Sequence, residues 1–299
     1  MKNALKTCGF AVVAGFSTIA AAQTVTTNLM QKAANITVLN DQNLSDIRYE
    51  LPRLDTDTTQ IHLKLKGYVF GIRVVRSDIV TQFDQTNYAA YTDARSSGIA
   101  ALLKKLEIWA VTKGRYDRNG LRPDWHVQQN TDKKNRRVEM NYDHTGHKLN
   151  IAIVPPLGSQ GVPPASDRAR YHSNDAISGI MHLMMMGTKV NGELCTGRIP
   201  FFDSKQHYNL KLERVGTKRV KFDGDKKETI HCRAYYEPIS GYDPEDLPNQ
   251  EEVETPVNVY FKYFEEAGVH IPVRFTYKIS GFKAVIKADD IEIIAAQNR

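Results

Sequence analysis

Residues 61–66 read Ile61-His62-Leu63-Lys64-Leu65-Lys66, apolar at every odd position and polar or basic at every even one. Successive side chains of an extended chain point to opposite faces, so this stretch predicts a strand with one face buried and one in water. Gly67 and Gly71 interrupt the run, and the apolar positions change parity to Ile72 and Val74, the signature of a turn or bulge. The same alternation returns along the chain. It is present at Tyr88 to Arg95 before Gly98, and at Leu106 to Thr112. Val138, Met140 and Tyr142 continue it, joined across Asp143-His144-Thr145-Gly146 to Lys148 through Val154. Later runs are Tyr208-Leu210-Leu212, Ile230-Cys232-Ala234-Tyr236, Val257-Val259-Phe261, Ile271-Val273-Phe275-Tyr277 and Phe282-Ala284-Ile286. Gly114 and Asp117-Arg118-Asn119-Gly120 supply turn chemistry between runs. Strands that bury one face only are those of an antiparallel sheet; parallel strands covered on both sides read as unbroken apolar runs. The expected class is therefore mainly β and antiparallel.

One helix interrupts this pattern, near 174–187. Asn174 or Ser173 is the expected cap, with Asp175 in the first turn and Gly187 as the stop. Its later surface is apolar nearly all round, through Ile177, Ile180, Met181, Leu183, Met184, Met185 and Met186. Shorter helices are expected at Ile99 to Ile108 and near Leu29 to Ala34. Pro155-Pro156 and Pro163-Pro164 bracket a glycine-containing connector that excludes regular structure and reads as a crossing between two parts of the sheet. Asp243 to Glu254, acidic and proline-containing, reads as a solvated loop.

The first 22 residues set the compartment. Lys2 and Lys6 precede the apolar run Cys8 to Ile19, and Ala20-Ala21-Ala22 stands before Gln23. That is the layout of a cleaved secretory signal, with the cut expected at Ala22/Gln23 and a periplasmic product. Cys8 lies inside the apolar run, which argues against a lipoprotein. No later apolar stretch reaches the roughly 18 residues of a membrane-spanning helix. The full chain of 299 residues carries 40 Lys+Arg and 34 Asp+Glu, formally +6. Without Lys2 and Lys6 the balance falls to +4, and the basic residues are scattered, so nucleic acid is not the expected partner. The densest run, Lys133-Lys134-Asn135-Arg136-Arg137, is expected to face solvent at a strand entry.

Beyond Cys8, the cysteines are Cys195 and Cys232, 37 residues apart. An even pair in an exported chain is most simply a structural disulfide, for which a loop of this length gives about 3–4 kcal/mol. Two free buried thiols or a redox pair are the alternatives, the latter disfavoured by the lack of a C-x-x-C spacing. Cys232 shares strand parity with Ile230, Ala234 and Tyr236 and is expected to point inward.

Chemistry has little to rest on. Asp143, His144 and His147 are of metal-ligand type but fall on a hairpin turn, where backbone reasons suffice. His231, beside Cys232, is expected on the opposite strand face. Nucleophile-elbow, zincin and glycine-rich phosphate motifs are missing. No catalytic residue, metal or cofactor is expected. Met181, Met184, Met185 and Met186 remain as the candidate apolar ligand or lid residues, methionine being flexible enough to line a promiscuous apolar surface or to fill an irregular core.

Several stretches resemble the bacterial exported family called domain of unknown function 3108. They are Tyr68-Val69-Phe70-Gly71-Ile72, Tyr88 through Ile99 with Gly114, and Asp175-Ala176-Ile177-Ser178. Later come Cys195-Thr196-Gly197-Arg198-Ile199-Pro200-Phe201-Phe202-Asp203 and Cys232 through Tyr242. The resemblance spans roughly Leu63 to Ile286. It implies a curled antiparallel sheet or open, β-spiral-like β-barrel, similar in style to envelope-integrity proteins and to half-barrels that carry lipids across the periplasm. It brings no catalytic residues. The resulting expectation is a signal peptide at 1–22, a flexible lead at 23–59 and a single β-rich domain at 60–299. Functionally, it is a non-enzymatic envelope protein holding a hydrophobic ligand, lipid, or envelope protein or glycan. The alternatives are an envelope hydrolase acting on cell-wall or glycan material and a purely structural interaction module.

Overall fold

The computed structural model describes residues 56–98, 101, 107–130, 135–279 and 281–297; the signal, most of the lead and nearly all of the expected helix at 99–108 lie outside them. Thirteen strands form a single antiparallel sheet. The first seven are β1 (Thr59–Val69), β2 (Ile72–Phe83), β3 (Asn87–Ser96), β4 (Glu107–Asp117), β5 (Gly120–Asn130), β6 (Arg137–Asp143) and β7 (Lys148–Val154). Two helices follow, α1 (Asp167–Tyr171) and α2 (Ala176–Met185). Then come β8 (Arg198–Phe202), β9 (His207–Phe222) and β10 (Asp225–Ser240), the short helix α3 (Gln250–Glu254), and β11 (Val257–Phe264), β12 (Val269–Ile279) and β13 (Phe282–Ile294).

The order across the sheet is β7-β6-β5-β4-β3-β2-β1-β13-β12-β11-β10-β9-β8. The chain starts at the centre, meanders out to the edge β7, crosses to the opposite edge β8 through residues 155–197, and meanders back until β13 pairs with β1. The proline-bracketed connector is thus the crossing that its composition predicts. It is stitched to the second half, Val162 N–H donating to the Tyr242 carbonyl and Gly241 N–H to the Pro163 carbonyl, each at 2.8 Å.

Helix α2 shows why the sheet curls. It packs against β4 and β5 of the first half and against β8 and β12 of the second, strands far apart in the sheet order. A flat sheet could not bring them to one helix. Bulges at Lys64/Leu65, Gly67/Tyr68, Lys113/Gly114, His231/Cys232 and Tyr260/Phe261 add the local twist that bending requires. The two edges, β7 and β8, are not paired with each other, so the barrel is open.

Several local expectations change. Gly114 lies inside β4, at a bulge, not in a turn; a Cβ there would come within 2.3 Å of the Arg122 carbonyl oxygen and 2.8 Å of the Tyr88 hydroxyl. Strand β5 escaped the alternation rule because both its faces are covered: Trp125, His126 and Val127 are consecutive and all buried. Arg137 faces away from water on β6, its guanidinium 5.9 Å from the Trp109 ring and 3.7 Å from Glu139, which also accepts the Trp125 indole N–H at 3.1 Å. The segment Arg198-Ile199-Pro200, which shows no alternation of its own, begins strand β8. Within the acidic loop, Asn249 and Glu252 form a reciprocal capping box that starts α3.

Cys195 and Cys232 are joined in a disulfide with their Cα atoms 5.7 Å apart, and both are buried. The bond ties the end of the connector to the inner face of β10.

Candidate functional site

The concave face and α2 together make the interior. Asp175 is the N-cap of α2, one residue later than the sequence suggests. Its Oδ1 accepts the backbone N–H groups of Ile177 and Ser178, each at 3.0 Å. Its Oδ2 accepts the Ser178 hydroxyl and, at 2.9 Å, the Thr112 hydroxyl of β4. Tyr88 of β3 donates to Ser178 Oγ at 2.8 Å. His126 of β5 places Nδ1 3.1 Å from Asp175 Oδ1, an ion-pair distance without hydrogen-bond alignment. Asp175 is fully buried. Burial by itself pushes its carboxyl up, but the electrostatic attraction of the adjacent His126, with the bonds from Ser178, holds the group below the ordinary carboxylate range. Burial and then the Asp175 charge push the Tyr88 phenol well above its ordinary value, so it remains a donor.

Ser178, His126 and Asp175 have the composition of a catalytic triad but not its wiring. In a triad the serine hydrogen-bonds the histidine, which the carboxylate orients. Here Ser178 and His126 both converge on the carboxylate, and Tyr88 occupies the serine oxygen. The cluster anchors the start of a helix.

Past this anchor the interior is apolar. A cavity of about 40 Å³ lies between α2 and strands β1, β2, β3 and β12, bounded by Ile61, Leu63 and Leu65, by Ile79, Thr81 and Thr92, by Ile177, Ile180, Met181 and Met184, and by Phe275. A second, about 20 Å³, lies on the other side of Ile180 against β9, β10 and β11, where Leu212, Cys232, Ala234 and Phe261 line it. The two share Ile180, Pro272 and Phe275, so they lie on either side of the same three side chains along one apolar seam. Close approach of the edge strand to the helix depends on Gly179, where a Cβ would stand 2.1 Å from the Phe201 ring.

The four methionines separate into two pairs. Met181 and Met184 line the larger cavity. Met185 and Met186 are equally buried but pack at the C-terminal end of α2, where the Met185 carbonyl receives the N–H groups of Thr188, Lys189 and Val190. Cys232 joins the wall of the smaller cavity through its strand position. The polar groups of the Asp143 turn are bonded to one another and to neighbouring strands and helices. Asp143 accepts from Gly146 and Thr145, which hold it below the usual carboxylate range, and His144 bonds Asp124 at 2.8 Å and Tyr171 at 3.0 Å. Among the described residues no group of three or more histidine, cysteine or acidic side chains is placed to hold a metal ion. His231 bonds Asn258 and stacks on Tyr260. Two features escaped the sequence reading: the inward threonines, Thr81 and Thr92, and the Asp175–His126 pair. A parity count from Ile79 puts Thr81 on the inner face, but the pair of His126 and Asp175 is 49 residues apart in sequence and has no linear signal.

With the seam in place, the comparisons with known proteins acquire a context. The family described as "Protein of unknown function (DUF3108)" matches residues 59–281. The chain belongs to that family. The match begins with β1 and ends just before β13, so this DUF3108 chain has its family region across twelve of the thirteen strands. It is also similar to the crystal structure of a beta-barrel-like protein of domain of unknown function DUF1849 from Brucella abortus, with a TM-score of 0.40 and 10% identity over 79% of this chain and 97% of that one. No curated protein matches the DUF3108 chain. Among its described residues no helix is long and apolar enough to cross a membrane.

Proposed function

We propose that this DUF3108 protein is an exported, non-enzymatic envelope protein that holds an apolar ligand, a lipid or acyl group, in the seam between α2 and the curled sheet. The observation that carries the reading is the divided seam: two cavities with almost entirely aliphatic and aromatic walls, separated only by Ile180, Pro272 and Phe275 and bounded by the adaptable side chains of Met181 and Met184. Apolar voids inside a close-packed core forfeit dispersion contacts, and an apolar ligand restores them. At about 40 and 20 Å³ the cavities are far smaller than a lipid site, so an acyl chain enters only if Met181 and Met184 swing aside and the two voids join. The leader at 1–22 supports the periplasmic location.

The test is to export the mature protein, Gln23 to Arg299, purify it without detergent and identify retained lipids by mass spectrometry. Acyl species at a stoichiometry approaching one per chain support the carrier. A second reading, the structural interaction module, has its own observation, since α2 already occupies most of the concavity. Absence of retained lipid, together with no uptake of an apolar fluorophore, overturns the carrier in favour of the module.

A further inference from the structure

We infer that the larger cavity has a polar reading point: the hydroxyls of Thr81 and Thr92 recognise a neutral oxygen, a hydroxyl or an ester carbonyl, on the chain that occupies the seam. This deepens the reading of the seam as an apolar ligand site and rests on it.

Thr81 on β2 pairs with Ala90 of β3, and Thr92 on β3 pairs with Ile79 of β2. The two threonines are therefore diagonal neighbours on the inner face of adjacent strands, within reach of one small group between them. Thr81 is 3% exposed and Thr92 4%, both line the cavity, and among the described residues neither hydroxyl has a hydrogen-bond partner. Their neighbours show that this is not the rule for the wall. Ser77, on the same face, donates to the Asp93 carbonyl at 3.0 Å, and Thr112 reaches Asp175. Buried hydroxyls are nearly always satisfied, and valine has the same shape without the cost. Two unsatisfied hydroxyls facing one apolar void are matched by an oxygen arriving with the ligand.

The charge of that oxygen follows from the wall. Among the described residues no lysine, arginine or histidine lines the cavity. An ionised carboxylate would be buried there without a counter-charge, which is far more costly than burying a neutral ester or alcohol. The site therefore suits an acyl ester or a hydroxylated chain and disfavours a free fatty acid anion.

The experiment uses the mature chain loaded with the apolar fluorophore N-phenylnaphthylamine, displaced in turn by methyl laurate, dodecane and laurate at about pH 8, where a fatty acid in water is ionised. Methyl laurate should outcompete dodecane by about tenfold, as one or two buried hydrogen bonds allow, and outcompete laurate by more. In the double variant Thr81→Val/Thr92→Val the preference for the ester over the hydrocarbon should collapse to within about twofold while dodecane keeps its affinity. The ligand-free variant should also melt higher, having lost two unsatisfied hydroxyls. Thr81→Ser/Thr92→Ser, which restores the hydroxyls, should restore the preference. An ester preference that survives the valine variant overturns the inference, because water then satisfies the hydroxyls. Laurate binding as well as its ester overturns the assignment of a neutral oxygen. If all three compounds fail to displace the fluorophore, or the fluorophore fails to bind, the apolar-site reading falls first and the inference with it.

Discussion

The two halves of the sheet hold α2 by different physics. On the β1–β7 side the buried wall beyond β1 mixes small and polar side chains, Ser77, Thr81, Ala90, Thr92, Ala94, Ala110, Thr112 and His126, with the larger Phe83, Tyr88, Tyr116 and Leu121. Side-chain hydrogen bonds to Asp175 hold the capped start of the helix there. On the β8–β13 side the wall is large and apolar, with Phe201, Leu210, Leu212, Val259, Phe261 and Phe275, and beyond the backbone bonds of Asn174 with Pro200 and Phe202 the helix meets it through apolar packing. Hydrogen bonds fix direction and register, whereas apolar packing supplies free energy without specifying orientation. The side-chain anchor of the helix start thus comes from the first half, and most of the aromatic packing around Ile180 from the second. The larger void falls on the boundary between them, lined by β1, β2 and β3 on one side and by Pro272 and Phe275 of β12 on the other.

The contrast can be broken most severely at Asp175. Asp175→Ala removes the acceptor of two backbone N–H groups and two hydroxyls and leaves His126 buried beside nothing; a loss of about 3–5 kcal/mol is expected by urea denaturation. Asp175→Asn, which keeps one acceptor oxygen, should lose less. On the other wall, Phe261→Ala should cost about 3–4 kcal/mol through transfer and cavity terms, and it should enlarge the seam, so fluorophore uptake rises as stability falls. Asp175→Ala has no reason to show that pairing, and a matching rise in uptake would show that the anchor also controls access to the seam.

The disulfide sits on the apolar side, and Cys232→Ser should cost about 2–4 kcal/mol. Reductant should bring the wild type to the level of the variant. Equal stability of the two under oxidising conditions would mean that the cysteines are not bonded in the folded protein.

The smallest effect is that of pH. Asp175 is held below its ordinary value of 3.8, so its contribution is fully present above that value and is lost as pH falls through the lower folded value. His182, on α2, is depressed from 6.5 by burial, so the folded protein favours its neutral form; the stability this implies is intact above 6.5 and declines as pH falls below it. His182→Gln should therefore make the stability profile less steep just below pH 6.5, where His207 and His270, also depressed by burial, keep the remaining slope, and leave the acid limb set by Asp175 in place. Identical profiles for the variant and the wild type would refute the assignment to His182.

The fold class was legible wherever one face of a strand meets water. Ile61 to Leu65, Val138 to Tyr142 and Ile271 to Tyr277 announce themselves by period two, and the apolar run after Asp175 announces the helix. Strand β5 was not legible, because Trp125 and Val127 are covered on one face while His126 is buried on the other, and alternation vanishes when both faces are buried. Arg137 misled for a related reason: a basic run reads as solvated, yet residue parity on β6 turns one of its members toward Trp109.

What the sequence by itself determined is local: the period of each strand, the turn at Asp143, the break at the double prolines, the apolar face of α2 and an even pair of cysteines. The leader sets an expected compartment in the same local way. Only the tertiary structure decided that β13 returns to pair with β1, that one helix touches strands from both halves, and that Asp175 meets His126 and Thr112. It also decided that two threonine hydroxyls face a void. The physical reason is range. Period, capping and turn chemistry act over a few residues, whereas register between distant strands and the volume left beneath a helix depend on how all the side chains of the interior pack together.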